Sequence, residues 1–168
     1  GIPVDYYARI GFDGFKSVVD AVGGVEVVVT CALRDWRLKS PELDQTIEEN
    51  WEQFTLEPGV YEMDGDLALW YARSRRTTND FERGRRQQQV LRAIFDRGLD
   101  QNIIADIPDL WRVYREAVET DLTLPVVLEL AALAPAVREN GVQHLAIAGD
   151  AVRSWQEPGT GWSTQLLR

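Results

Sequence analysis

Two consecutive glycines, Gly23-Gly24, split the first thirty residues into a helix-spaced segment and a strand, and no other local feature limits the fold as much. Before them, Phe12, Phe15, Val18, Val19 and Val22 follow the spacing of an amphipathic helix. After them, Val25–Thr30 reads VEVVVT, a β-branched run dense enough for a central strand. Val4–Ile10 (VDYYARI) alternates weakly and reads as an earlier strand. Strand, helix and strand joined by short links is the order of a right-handed crossover. The expectation is therefore an α/β chain with a partly parallel sheet. With 168 residues, 45% of them hydrophobic, the chain suffices for one domain with its own core.

Downstream, Ala32–Gln53 mixes charge with tryptophan and reads as an irregular excursion. Leu56-Glu-Pro-Gly59 is turn chemistry, and Val60–Met63 reads as a short strand. Asp64-Gly65 opens a helix with Leu67, Trp70, Tyr71 and Ser74 inward, and Asp64 and Asp66 read as helix-start charges. Thr77–Asp80 is a polar loop in which Asn79, with Glu82 three residues on, has capping-box spacing. A long helix is predicted from Phe81 to about Leu99, then helices over Ile107–Val118 and Leu124–Asn140 and a strand over His144–Ala148. Residues 1–150 read as the domain and 151–168 as a loosely structured tail.

Charge is distributed unevenly. From Arg73 to Arg97 eight arginines face Asp80, Glu82 and Asp96, a local +5 in a chain of formal −9, which leaves −14 on the rest. Of 18 basic residues only Lys16 and Lys39 are lysines. Guanidinium forks bind phosphate oxygens bidentately, so the island points to a local anionic ligand. The acidic remainder argues against nonspecific nucleic-acid binding. A single Cys31 excludes an intrachain disulfide, and the lone His144 excludes a histidine-rich metal site. No stretch is apolar for long enough to span a bilayer, so a membrane anchor, if used, lies outside this chain.

On a helical wheel centred on Arg83, Gln87 falls about 40° away and Val90 and Ile94 about 20° away. Arg83 and Gln87 thus share the apolar stripe, and a charge there needs an anionic partner. Arg85, Arg86 and Arg92 read as a solvated face. Arg73 and Arg75, two apart, project to one side of a segment leaving the preceding helix. Asp80, at the mouth of the long helix, is placed to accept a proton, orient an arginine or help hold a cation.

Tyr-Ala-Arg73-Ser-Arg75 followed by Asp80-Phe-Glu-Arg83-Gly-Arg-Arg86-Gln87 resembles the signature of the LytR–CpsA–Psr cell-envelope proteins. The segments Gly11-Phe-Asp-Gly-Phe15, Val19–Val25 and Met63–Tyr71 agree in order, so the resemblance spans about Gly1–Leu99. It implies a three-layer α-β-α fold around a mixed, partly parallel central sheet. It also implies a phosphotransferase that moves an anionic glycopolymer, of teichoic acid or capsule type, from a polyprenyl-pyrophosphate carrier to peptidoglycan at the extracytoplasmic face of the membrane. Arg73, Arg75, Arg83 and Gln87 match the family's pyrophosphate-binding residues and Asp80 a catalytic carboxylate. The resemblance further implies Mg2+, with its main ligands in a part of the domain preceding this chain. The chain is accordingly expected to be the C-terminal portion of such a domain, a poor catalyst without the N-terminal segment that would partner it. A noncatalytic module for polyprenyl phosphate or anionic glycan would need the same arginines, and stays open as an alternative.

Overall fold

The computed structural model describes residues 3–77, 79–100, 107–141, 152–156, 158–159 and 163–167. Strand β1 (Ala8–Ile10) leads into helix α1 (Phe12–Ala21), whose buried Val19 lies on the predicted stripe. Gly23 and Gly24 both have φ above +70°, a region glycine enters without steric cost, and they turn the chain into β2 (Val25–Val29). Val25, Val27 and Val29 are buried and alternate with exposed Glu26 and Val28, the period-2 pattern of a strand with one covered face.

The partly parallel crossover does not appear among the described residues, where all four strand pairs are antiparallel. β1 pairs with β6 (Val118–Thr120), and β2 pairs with β5 (Gly59–Met63), Val25 opposite Met63. Helix α1 therefore joins strands of two different ladders. The described edge of β2 away from β5 is met by a side chain, the Gln89 amide donating to the Val28 carbonyl at 2.7 Å.

The expected irregular excursion is instead a β-hairpin. β3 (Leu33–Leu38) pairs along its whole length with β4 (Trp51–Leu56), Leu33 opposite Leu56 and Leu38 opposite Trp51, with one 3-10 turn (Glu48–Asn50) in the connection. Helix α2 (Gly65–Arg73) starts where predicted, Asp64 accepting a hydrogen bond from the Leu67 N–H at 2.8 Å. Helix α3 (Asp80–Asp100) lays Val90, fully buried, onto the core that α1, α2 and β2 share. Each such valine contributes roughly 1.5–3 kcal/mol by leaving water.

The helix expected over Leu124–Asn140 is two, α5 (Leu124–Ala132) and α6 (Ala134–Asn140), following α4 (Ile107–Ala117) and β6. Pro135 explains the break, since it sits in the first turn of α6 where its missing N–H costs nothing. The expected strand His144–Ala148 lies outside the described residues. Where a loose tail was expected, β7 (Val152–Gln156) and β8 (Ser163–Leu167) form an antiparallel pair. No helix among the described residues is long and apolar enough to cross a membrane.

Candidate anion-binding site

A cavity of about 390 Å³ opens between the β3–β4 hairpin and the C-terminal end of α2. Its cations come from three elements: Lys16 of α1, Arg37 of β3, and Arg73 and Arg75 at the end of α2. Asp35 and Asp66 are its carboxylates, and Trp36, Trp51 and Trp70 give it aromatic walls. Charges on the cavity-facing positions of β3 are why the strand is hard to read in sequence. Asp35 and Arg37 alternate there with Leu33, so the apolar period is broken by the site itself.

The cations differ in how far they are committed. Arg37 pairs with Asp66 at 3.0 Å and lies 4.9 Å from the Phe54 ring centre, with its Nε buried and without a partner. Asp66 is therefore more than the helix-start charge the sequence suggests. Lys16 reaches exposed Asp13 at 3.4 Å. Arg73 packs 4.0 Å over the Phe12 ring. Among the described residues no carboxylate pairs with Arg73 or Arg75, so their guanidiniums keep their donors for a ligand.

Arg73 and Arg75 thus share the cavity, as expected, whereas Arg83, Gln87 and Asp80 are not part of its lining. Arg83 pairs with Asp80 at 3.3 Å, with side-chain exposures of 31% and 69%, an intrahelical contact of the kind worth under ~1 kcal/mol. The α3 N-terminus already carries Asp80 and Glu82 against its partial positive charge. Asn79 caps it through the Glu82 N–H at 2.9 Å, but the Glu82 carboxylate turns to Arg85 rather than completing the box.

The arginine facing inward is Arg86, not Arg83. Arg86 is 5% exposed. It donates to the Tyr71 carbonyl at 2.9 Å and to the Ser74 carbonyl, while Gln87 reaches the Ala72 carbonyl at 3.4 Å. These belong to the turn where α2 ends and carbonyls lose their helical donors. Arg86 and Gln87 therefore cap α2 from the neighbouring helix, at the turn whose main chain carries Arg73 and Arg75. Burial pulls the Arg86 guanidinium below its ordinary pKa, though arginine stays charged in proteins, and burial pushes the Tyr71 phenol up. The Tyr71 hydroxyl donates to Gln89 at 2.9 Å.

The described residues contain no group of three or more His, Cys, Asp or Glu side chains that could hold a metal ion. Asp35 accepts main-chain N–H groups, and Asp66 and Asp80 are ion-paired. Among the described residues these carboxylates do not gather into one cluster, and the chemistry proposed below uses only side chains of this chain.

The LytR_cpsA_psr family model matches residues 1–164. This chain belongs to the LytR–CpsA–Psr family. It is 33% identical over 150 residues to the polyisoprenyl-teichoic acid–peptidoglycan teichoic acid transferase TagV of Bacillus subtilis (strain 168), covering 88% of this chain and 36% of that protein. The crystal structure of B. subtilis TagV superposes with a TM-score of 0.74 at 28% identity, over 96% of this chain and 57% of that one. A structure of TagT bound to LI-WTA matches with a TM-score of 0.51 at 29% identity, over 80% and 44%. The α/β fold is thus that of this family, and the chain spans less than half the length of the curated relatives it matches first. Composition could have pointed to Lys16 and Arg37 as further cations, but only the hairpin's register brings Arg37 to the cavity.

Proposed function

We propose that this LytR–CpsA–Psr chain carries the pyrophosphate-recognising part of an enzyme that transfers an anionic glycopolymer from a polyprenyl-pyrophosphate carrier to peptidoglycan at the cell envelope. The observation that carries this reading is the pair Arg73 and Arg75, without carboxylate partners among the described residues, in a cavity that Lys16, Arg37, Asp35, Asp66 and three indole rings also line. Family membership supports it, because relatives are named as teichoic acid transferases.

Phosphoryl transfer needs positioning and neutralisation of oxygens more than a covalent nucleophile. On this reading Arg73 and Arg75 hold the diphosphate oxygens. The diphosphate extends past the cavity lining to the start of α3, where Arg83 trades its weak exposed pair with Asp80 for a phosphate oxygen, and Gln87 supports the turn at the end of α2. The freed Asp80 takes the proton of the acceptor hydroxyl as its oxygen bonds to the glycan-linked phosphorus. The bond to the bridging oxygen breaks, and prenyl phosphate leaves with the electron pair.

Titration with farnesyl pyrophosphate tests the site. Arg75→Ala is expected to lose about 1.5–3 kcal/mol of affinity, the range of a hydrogen bond to a charged group. Arg85→Ala, whose guanidinium is held by Glu82 at 2.9 Å outside the cavity, should bind as the parent does. Equal losses in the two variants would end the cavity assignment. Binding without transfer of lipid-linked glycopolymer, measured on the full-length protein, would favour a noncatalytic module.

A further inference from the structure

We propose that Asp35 is the positioning residue of this cavity, its carboxylate fixing the main chain at Arg75 and Arg76 so that the Arg75 guanidinium is aimed at the ligand. The inference rests on the pyrophosphate reading above. A carboxylate in the wall of an anion site repels the occupant, so its presence asks for a reason. The hydrogen bonds supply one. One Asp35 oxygen accepts from the Arg75 N–H at 2.9 Å and the Arg76 N–H at 3.2 Å, and the other accepts from the Trp36 N–H at 2.8 Å. Alongside, the Arg34 N–H donates to the Thr77 hydroxyl at 3.4 Å.

Helix α2 ends at Arg73, and Arg75, Arg76 and Thr77 are all exposed. None of their side chains is buried, so the turn is held by its bonds to β3, those to Asp35 foremost, rather than by core packing. Two successive N–H groups on one oxygen fix the peptide plane between Arg75 and Arg76. The two side chains then part company: Arg75 lines the cavity, while Arg76 lies 5.6 Å from the Trp36 ring centre and is not among the lining residues. Asp35 itself sits on a paired strand opposite Phe54, a firm base for a positioning contact.

Charge and positioning predict opposite signs, which makes the test sharp. Inorganic pyrophosphate is titrated calorimetrically into the full chain and into Asp35→Ala, Asp35→Asn and Arg75→Ala. Positioning predicts that Asp35→Ala binds about fivefold more weakly, the worth of roughly one hydrogen bond, although it removes a negative charge from the site. Asp35→Asn keeps a carbonyl acceptor for the turn and is expected to restore at least the parent affinity. In the Arg75→Ala background, Asp35→Ala should no longer weaken binding. Tighter binding by Asp35→Ala alone would mean that the carboxylate acts only as a charge, and would overturn the proposal. An Asn variant as weak as the Ala variant would overturn it too. An Arg75→Ala protein with unchanged affinity is a different failure, because it removes the pyrophosphate reading itself.

Discussion

Arg86→Met is expected to lower the free energy of unfolding by about 3 kcal/mol, since each buried acceptor left without a donor costs roughly 1–3 kcal/mol. Methionine keeps much of the side chain's length, so the loss isolates the guanidinium. Without it the Tyr71 and Ser74 carbonyls, at the end of α2, lose a donor in a place water barely reaches, for Tyr71 and Ser74 are 4% and 5% exposed. The negative end of the α2 dipole also loses its nearest buried cation. Denaturant titration gives the free energy directly. In a melt each kcal/mol should lower Tm by about 2–4 °C for a chain of this size. A loss below about 1 kcal/mol would show that the carbonyls find other donors and that Arg86 is not their cap.

Gly65→Ala carries the second large effect, and its sign runs against helix propensity, which favours alanine over glycine by about 1 kcal/mol. A Cβ built at Gly65 would lie 2.5 Å from the Lys16 carbonyl oxygen and 2.6 Å from the Lys16 Cα. Both atoms belong to the α1 backbone and cannot rotate away. The Gly65 N–H is also fixed, donating to Asp20 at 2.8 Å, so the first turn of α2 cannot slide without breaking a bond. Separating the helices costs what overpacking costs, about 3 kcal/mol. The same shift displaces Lys16 from the cavity wall, so weaker pyrophosphate binding should accompany the lower Tm. An alanine variant as stable as the parent would show that α1 and α2 are not in backbone contact here.

Some of this was legible from the residues. The glycine pair, the valine strand and the Asp64 cap are local features with steric or hydrogen-bonding causes, and each lies where expected. The face of α3 lies part of a turn away from the stripe expected through Arg83 and Gln87. Leu91 is 60% exposed, and the buried stripe runs through Arg86 and Val90 instead. An arginine that caps another helix's carbonyls looks, on a wheel, like surface charge, since its partners lie in a different element. The β3–β4 hairpin is hard to read for a related reason: charged Asp35 and Arg37 line the cavity where a strand normally shows apolar residues. A strand–helix–strand order does not say that the two strands share a ladder, and among the described residues they do not. Here each found its partner downstream, β1 with β6 and β2 with β5.

The cationic cavity is set in a chain whose formal charge is −9. At low ionic strength, where the Debye length reaches about 30 Å at 0.01 M, an approaching polyanion meets the overall negative field before it meets the guanidiniums. For this chain, added salt should therefore hasten encounter by screening the long-range repulsion while shortening residence by loosening the close contacts. Capture and release would both quicken, the opposite of a protein whose entire surface draws its anionic ligand in.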